Sequence, residues 1–159
     1  MRKLTCAIVA AGSVLVADTV GATVASSPPP SESGPVCNGA ASQGVIWPPD
    51  HRRVAETIVG MDSGLTISVM KIQQDEPVEM LGSGNTEPDG YGLYSPTAYV
   101  RAERSGLGTG RIYVIWYTAT DMYGQQCTGS VQVQVPHDQG QGITPIDTQQ
   151  RYDSTLLFD

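Results

Sequence analysis

Residues 130–135 read Ser130-Val131-Gln132-Val133-Gln134-Val135, an unbroken alternation of polar and apolar side chains. Successive side chains of a strand point to opposite faces, so period two puts the three valines on a buried face and the glutamines in solvent. Immediately upstream, residues 111–120 are apolar on both parities, which predicts a central strand buried on one face and half covered on the other. Between the two runs, Asp121-Met122-Tyr123-Gly124 supplies Asp and Gly at turn positions, and a hairpin is predicted. Trp116, in the middle of the richest apolar run, is expected in the core, as is Trp47 beside Pro48-Pro49.

The rest of the chain repeats the pattern of strand and turn. Its 18 glycines and 11 prolines in 159 residues disfavour long helices. Further β-rich runs, bounded by Gly, Pro and Asp, fall at residues 44–47, 53–59, 65–72 and 97–104, with one more short strand expected within 78–94. About seven strands in about 100 residues match the arithmetic of an immunoglobulin-like antiparallel β-sandwich, and the fold class is all-β. The sequence contains no internal repeat that would indicate a solenoid or a propeller.

Both ends read differently. Arg2 and Lys3, an apolar run over residues 4–17 and small residues over 20–25 predict a secretory signal peptide spanning 1–25. That run is shorter than the ~20 residues needed to span a bilayer. Cys6, at the start of the run, is not where a lipidated cysteine would stand. Residues 26–36, with three consecutive prolines, predict a polyproline-like linker. The domain is expected over 37–139, and residues 140–159 as a flexible tail. Export, to the periplasm or beyond, places the two remaining cysteines in an oxidising compartment, where Cys37 and Cys127 are expected to form one bridge.

Charge narrows the function. Nine basic against 16 acidic residues give a net charge of −7, and without a basic patch nucleic acid is not an expected partner. No Gly-x-Ser-x-Gly elbow or His-Glu-x-x-His helix is present. The Gly-rich run 106–110 joins two strands, whereas a phosphate cradle needs a helix N-terminus. His51 and His137 are expected near each other, but two histidines do not close a zinc site. Alternate strand ends fall at one pole of a sandwich, which would gather Asp50, His51, Asp75, Glu76, Glu103, Arg104, His137 and Asp138. Asp75, Glu76 and Glu103 are therefore candidate calcium ligands, since Ca²⁺ wants converging hard oxygens. The alternative is that Arg52, Arg53, Arg101, Arg104 and Arg111 pair with these carboxylates, and no Asp-x-Asp-x-Asp loop decides between the two. Tyr91 and Tyr94, in a Gly-rich loop, are candidates for stacking on a sugar ring.

Several motifs carry a resemblance. Tyr117-Thr118-Ala119-Thr120-Asp121, Gly124, Cys127 and the valines at 131, 133 and 135 resemble the closing hairpin of HYR-type and related bacterial immunoglobulin-like domains of secreted proteins. Trp47-Pro48-Pro49-Asp50-His51, Gln74-Asp75-Glu76-Pro77, Arg101-Ala102-Glu103-Arg104-Ser105-Gly106 and Val135-Pro136-His137-Asp138-Gln139 are similar to motifs of the same modules. The resemblance covers residues 37–139 and implies the fold and an exported location. Asp62-Ser63-Gly64 lacks the richer acidic turn of calcium-binding relatives. Such modules serve as spacers, adhesion units or accessory domains, so the expectation is a monomeric, non-catalytic interaction or structural module whose partner is a protein or a carbohydrate. It requires no cofactor. A calcium- or carbohydrate-binding accessory domain is the alternative, and a small exported hydrolase the last one.

Overall fold

A computed structural model describes residues 33–84, 86–140 and 144–157. The expected signal peptide, and the linker up to residue 32, lie outside these. Among the described residues there is no helix, and hence none long and apolar enough to cross a membrane. Eight strands form instead: β1 (Ala40–Ala41), β2 (Arg53–Val59), β3 (Thr66–Gln74), β4 (Gly90–Tyr91), β5 (Thr97–Arg101), β6 (Gly110–Thr120), β7 (Gln126–Pro136) and β8 (Tyr152–Asp153).

They build two antiparallel four-stranded sheets, in the orders β1-β2-β5-β4 and β7-β6-β3-β8. The core lies between them, with Val54, Ala98 and Val100 from one sheet facing Val69, Ile72, Ile115, Tyr117, Val131 and Val133 from the other. This all-β arrangement is that of a β-sandwich. β6 and β7 pair without a register shift from Gly110↔Pro136 to Thr120↔Gln126, as the sequence alternation requires. At their turn Asp121 Oδ1 accepts the N–H groups of Tyr123 and Gln125. Gly124 there has a φ of 83°, a conformation a Cβ would resist.

Three expectations need correction. The strand at residues 44–47 reduces to one parallel bridge, Val45↔Gln134, and the strand proper is β1, whose Ala40 and Ala41 pair with Val59 and Ile58. Alanine carries too little side chain to advertise a strand. Trp116 is 39% exposed, because Ile115 and Tyr117 hold the inward parity of β6 and Trp116 must face out. Finally, the chain beyond Gln139 contributes β8, which pairs with β3 through Gln73↔Asp153 and Gln74↔Tyr152.

Ser154, fully buried, binds both sheets. Its N–H donates to the Ile72 carbonyl at 3.0 Å, and its carbonyl accepts the Gly90 N–H at 2.7 Å. The opposite edge of the second sheet is covered too, since the Ile46 N–H donates to the Gln134 carbonyl and the Gln134 N–H to the Gly44 carbonyl, both at 2.8 Å.

The cysteine pair joins the segment before β1 to β7, with Cα atoms 5.7 Å apart at a sequence separation of 90. Cys127 follows the parity of Val131 and packs against the core.

Truncation after Gly140 should orphan the Ile72 carbonyl and the Gly90 N–H, each worth about 1–3 kcal/mol when buried without a partner. Thermal unfolding of the truncated chain should show a fall in Tm of roughly 5 °C or more. An unchanged Tm would mean that β8 contributes nothing to the fold.

Candidate functional site

The register fixes which residues meet at the end of the sandwich. Arg53↔Arg101, Gln74↔Tyr113 and Gly110↔Pro136 are the terminal pairs at that end. The segments beyond them carry His51, Asp75, Glu76, Glu103 and His137. Arg111 and Tyr113 share the inward parity of Ile115, so β6 drives a guanidinium into the interior, where an unpaired charge would cost several kcal/mol.

It is paired. Arg111 Nη1 donates to Asp89 Oδ2 at 2.6 Å and to the Tyr113 hydroxyl at 3.1 Å, while Nε donates to Glu76 Oε2 at 3.2 Å. Gln74 Nε2 donates to the same Asp89 oxygen at 2.9 Å. The Tyr113 hydroxyl donates to the Arg101 carbonyl at 3.0 Å, tying the second sheet to the first. Glu76 Oε2 also accepts the Ser105 N–H at 2.7 Å.

A second group adjoins the first. Arg101 donates from Nη1 to the His51 carbonyl and from Nη2 to the Pro88 carbonyl, both at 3.1 Å, with Nε 3.6 Å from Asp89 and 3.9 Å from Glu103. Glu103 Oε2 accepts the Thr86 hydroxyl and lies 3.1 Å from His51 Nδ1. His51 has a φ of 64°, an unfavoured region for a side chain of its size. Three contacts hold it there: this one, the Arg101 bond to its carbonyl, and its own N–H donating to the Ala102 carbonyl at 2.9 Å.

The structure thus brings Asp75, Glu76 and Glu103 to one end of the sandwich, with Glu76 on Arg111 and the Ser105 N–H, and Glu103 beside the Thr86 hydroxyl and His51. Asp75 Oδ1 accepts the Ile112 N–H at 2.8 Å and Oδ2 the Thr148 N–H at 3.3 Å. Among the described residues no three or more His, Cys, Asp or Glu are grouped so as to hold a metal. His51 and His137 take separate partners, since His137 Nε2 lies 3.2 Å from the Gly106 carbonyl and Nδ1 3.4 Å from Asp138. Arg104 donates to the carbonyls of Ser105 and His137, and exposed Arg52 to Asp50.

Burial raises Asp75 and Asp89 above the usual carboxylate range, in spite of the N–H and arginine donors around them. Burial also works against the charge on Arg111, but the Tyr113 hydroxyl and the carboxylates of Asp89 and Glu76 outweigh it and hold the guanidinium above its ordinary value. The buried Tyr113 hydroxyl is pushed up in turn. Near the surface, the Arg151 bonds draw Asp147 below the usual range.

The candidate stacking tyrosines are also placed. Tyr91 in β4 lies under the Arg53 guanidinium, 4.0 Å from its ring centroid, and opposite Tyr99 in register. Tyr94 is largely exposed, its N–H donating to the Val69 carbonyl at 2.7 Å.

Sequence reasoning missed Asp89, the main partner of Arg111, because Pro88-Asp89-Gly90 reads as a turn. It also missed Glu56, buried on β2. The signal for Glu56 was present: it shares a face with Val54 and Ile58. Its Oε2 accepts the Ser42 hydroxyl at 2.9 Å and the Gln43 N–H at 3.0 Å.

No protein-family model, curated protein or solved structure matches the chain.

Asp89→Ala leaves Arg111 buried beside a lost partner and should cost about 3–5 kcal/mol in urea unfolding, whereas replacing both residues by apolar ones of similar size should cost much less. Equal losses from the single and double changes would show that the pair does not act as a pair. Carboxyl NMR titration should place Asp75 and Asp89 above the ordinary value of about 3.9 and Asp147 below it. The linkage signs are opposite. For Asp75 and Asp89 the cost of ionisation grows as pH rises from the unfolded value through the raised folded one. The stability from Asp147 is present above its unfolded value and lost as pH falls through the lowered one.

Proposed function

We propose that the chain is a secreted, non-catalytic immunoglobulin-like module that acts by binding a partner or as a structural unit. The observation that carries this reading is how the polar residues of the pole are used. Arg111, Asp89, Glu76, Glu103 and Arg101 are buried and bonded to one another across the two sheets. An active site instead presents such groups to a substrate, with nucleophile, base and orienting residue in reach of one another. His51 faces the buried Glu103, but the nearby Thr86 hydroxyl donates to that same carboxylate and so does not engage the histidine as a nucleophile would.

Strand order supports the immunoglobulin-like part. With β1, β2, β5 and β4 as A, B, E and D, and β7, β6 and β3 as G, F and C, the sheets follow the ABED and CFG arrangement of constant-type domains, with β8 added beside C. The cysteine pair favours an oxidising compartment, and the expected signal peptide is in keeping with it.

The oxidised chain should release no product from panels of ester, peptide, glycoside and phosphoester substrates. Its Tm should agree within roughly a degree between calcium and chelator, since a ligand that binds only the folded state raises stability by mass action. Turnover abolished by His51→Ala would overturn the non-catalytic reading. A Tm lowered by chelation and restored by Ca²⁺ would replace it with the calcium-binding alternative.

A further inference from the structure

Two carboxylates and one guanidinium in the buried group share a pattern. On Asp89 both donors, Arg111 Nη1 and Gln74 Nε2, fall on Oδ2. On Glu103 the Thr86 hydroxyl and His51 Nδ1 both meet Oε2. Arg101 gives Nη1 and Nη2 to the carbonyls of His51 and Pro88. One polar atom of each residue is left over. Asp89 Oδ1, Glu103 Oε1 and Arg101 Nε are all shut off from solvent, and none has a hydrogen-bond partner among the described residues.

These atoms belong to one place. Arg101 Nε is 3.6 Å from Asp89 Oδ1 and 3.9 Å from the other oxygen of the Glu103 carboxylate. Both separations exceed a direct N–H···O bond, whose range ends near ~3.2 Å. Buried polar atoms are nearly always bonded, to protein or to ordered water, and a polar contact longer than about 3.5 Å is where a water bridges. Gln74 Oε1 and Arg111 Nη2, on residues bonded to Asp89, are buried and unpartnered as well.

The balance of donors and acceptors selects the bridging species. A bare cation would suit the two carboxylate oxygens but would face an arginine N–H, and a bare anion would suit the N–H but would face two carboxylates. Water donates twice and accepts. Its two O–H groups match Asp89 Oδ1 and Glu103 Oε1, and its oxygen matches Arg101 Nε, which makes the three bonds usual for a buried water. The same arrangement sets two hydrogens between carboxylates that would otherwise repel each other.

We propose that this end of the sandwich binds one internal water molecule, held by Arg101 Nε, Asp89 Oδ1 and Glu103 Oε1. The water joins the group around Arg111 to the group around His51 and makes them one continuous network. The site goes beyond the module reading and does not depend on what the module binds.

The test combines a high-resolution crystal structure of the full oxidised chain with ¹⁷O magnetic relaxation dispersion of the same protein in solution. A solvent peak within about 3.2 Å of all three atoms is expected, together with at least one long-lived water in the dispersion. Glu103→Met replaces the acceptor by an apolar side chain of similar length and should lower the dispersion amplitude by that of one water. Glu103→Gln keeps Oε1 as an acceptor and should retain it. Should the methionine variant fail to fold, the crystal structure and the glutamine variant still decide. Direct bonds from Arg101 Nε to either carboxylate with no solvent peak between them, an ion in place of the water, or no long-lived water in solution would overturn the proposal. So would an unchanged amplitude in folded Glu103→Met or a lost water in Glu103→Gln.

Discussion

The guanidinium of Arg111 sets the terms at one end of this molecule. It enters the interior because β6 must alternate, and it can stay there only because Asp89 and Glu76 arrive from two other segments. Asp89 belongs to the approach to β4 and Glu76 to the exit of β3, so one side chain fixes the relative position of parts of both sheets. Tyr113 extends the tie to the backbone of β5. The opposite end of the sandwich is closed covalently, since Cys127 stands across from Ala119 near the far end of the β6–β7 hairpin. The apolar core lies between an ionic clasp and a disulfide. Each clasp joins segments that the hydrogen-bond ladders leave unconnected.

Much of this was legible in the sequence. The alternation at 130–135 defined the face and register of β7, and the apolar run before it defined β6 as the central strand. The poles followed from strand direction alone. Trp116 misled because an apolar run on both parities reads as core throughout, yet only the inward parity reaches the other sheet. The 144–157 segment gave no periodic signal, since it is held by backbone groups: the Thr148 N–H on Asp75 and the Ser154 amide and carbonyl between Ile72 and Gly90. Bonds of that kind depend on where the chain is led, not on which side chains it carries.

The candidate site was legible in location and illegible in detail. Asp75, Glu76 and Glu103 lie toward one end of the sandwich, and the donors to Asp75 and Glu76 include the N–H groups of Ile112, Thr148 and Ser105. Every residue type supplies such a group, so no spacing of letters announces it. Asp89 was hidden by its neighbours Pro88 and Gly90, whose strong turn signal masks the role of the acid between them.

The two irregular flanks of the second sheet also bear on behaviour in solution. An uncovered strand edge is a template on which another polypeptide can pair, and natural sheets shield such edges. Here β3 is shielded by Tyr152, Asp153 and Ser154, and β7 by the stretch from Gly44 to Ile46. The least regular parts of the chain are therefore its guards against self-templating. Detaching either of them by proteolysis or partial unfolding would convert a self-contained sheet into an open-ended one, and the first symptom would be aggregation of chains whose core was still intact.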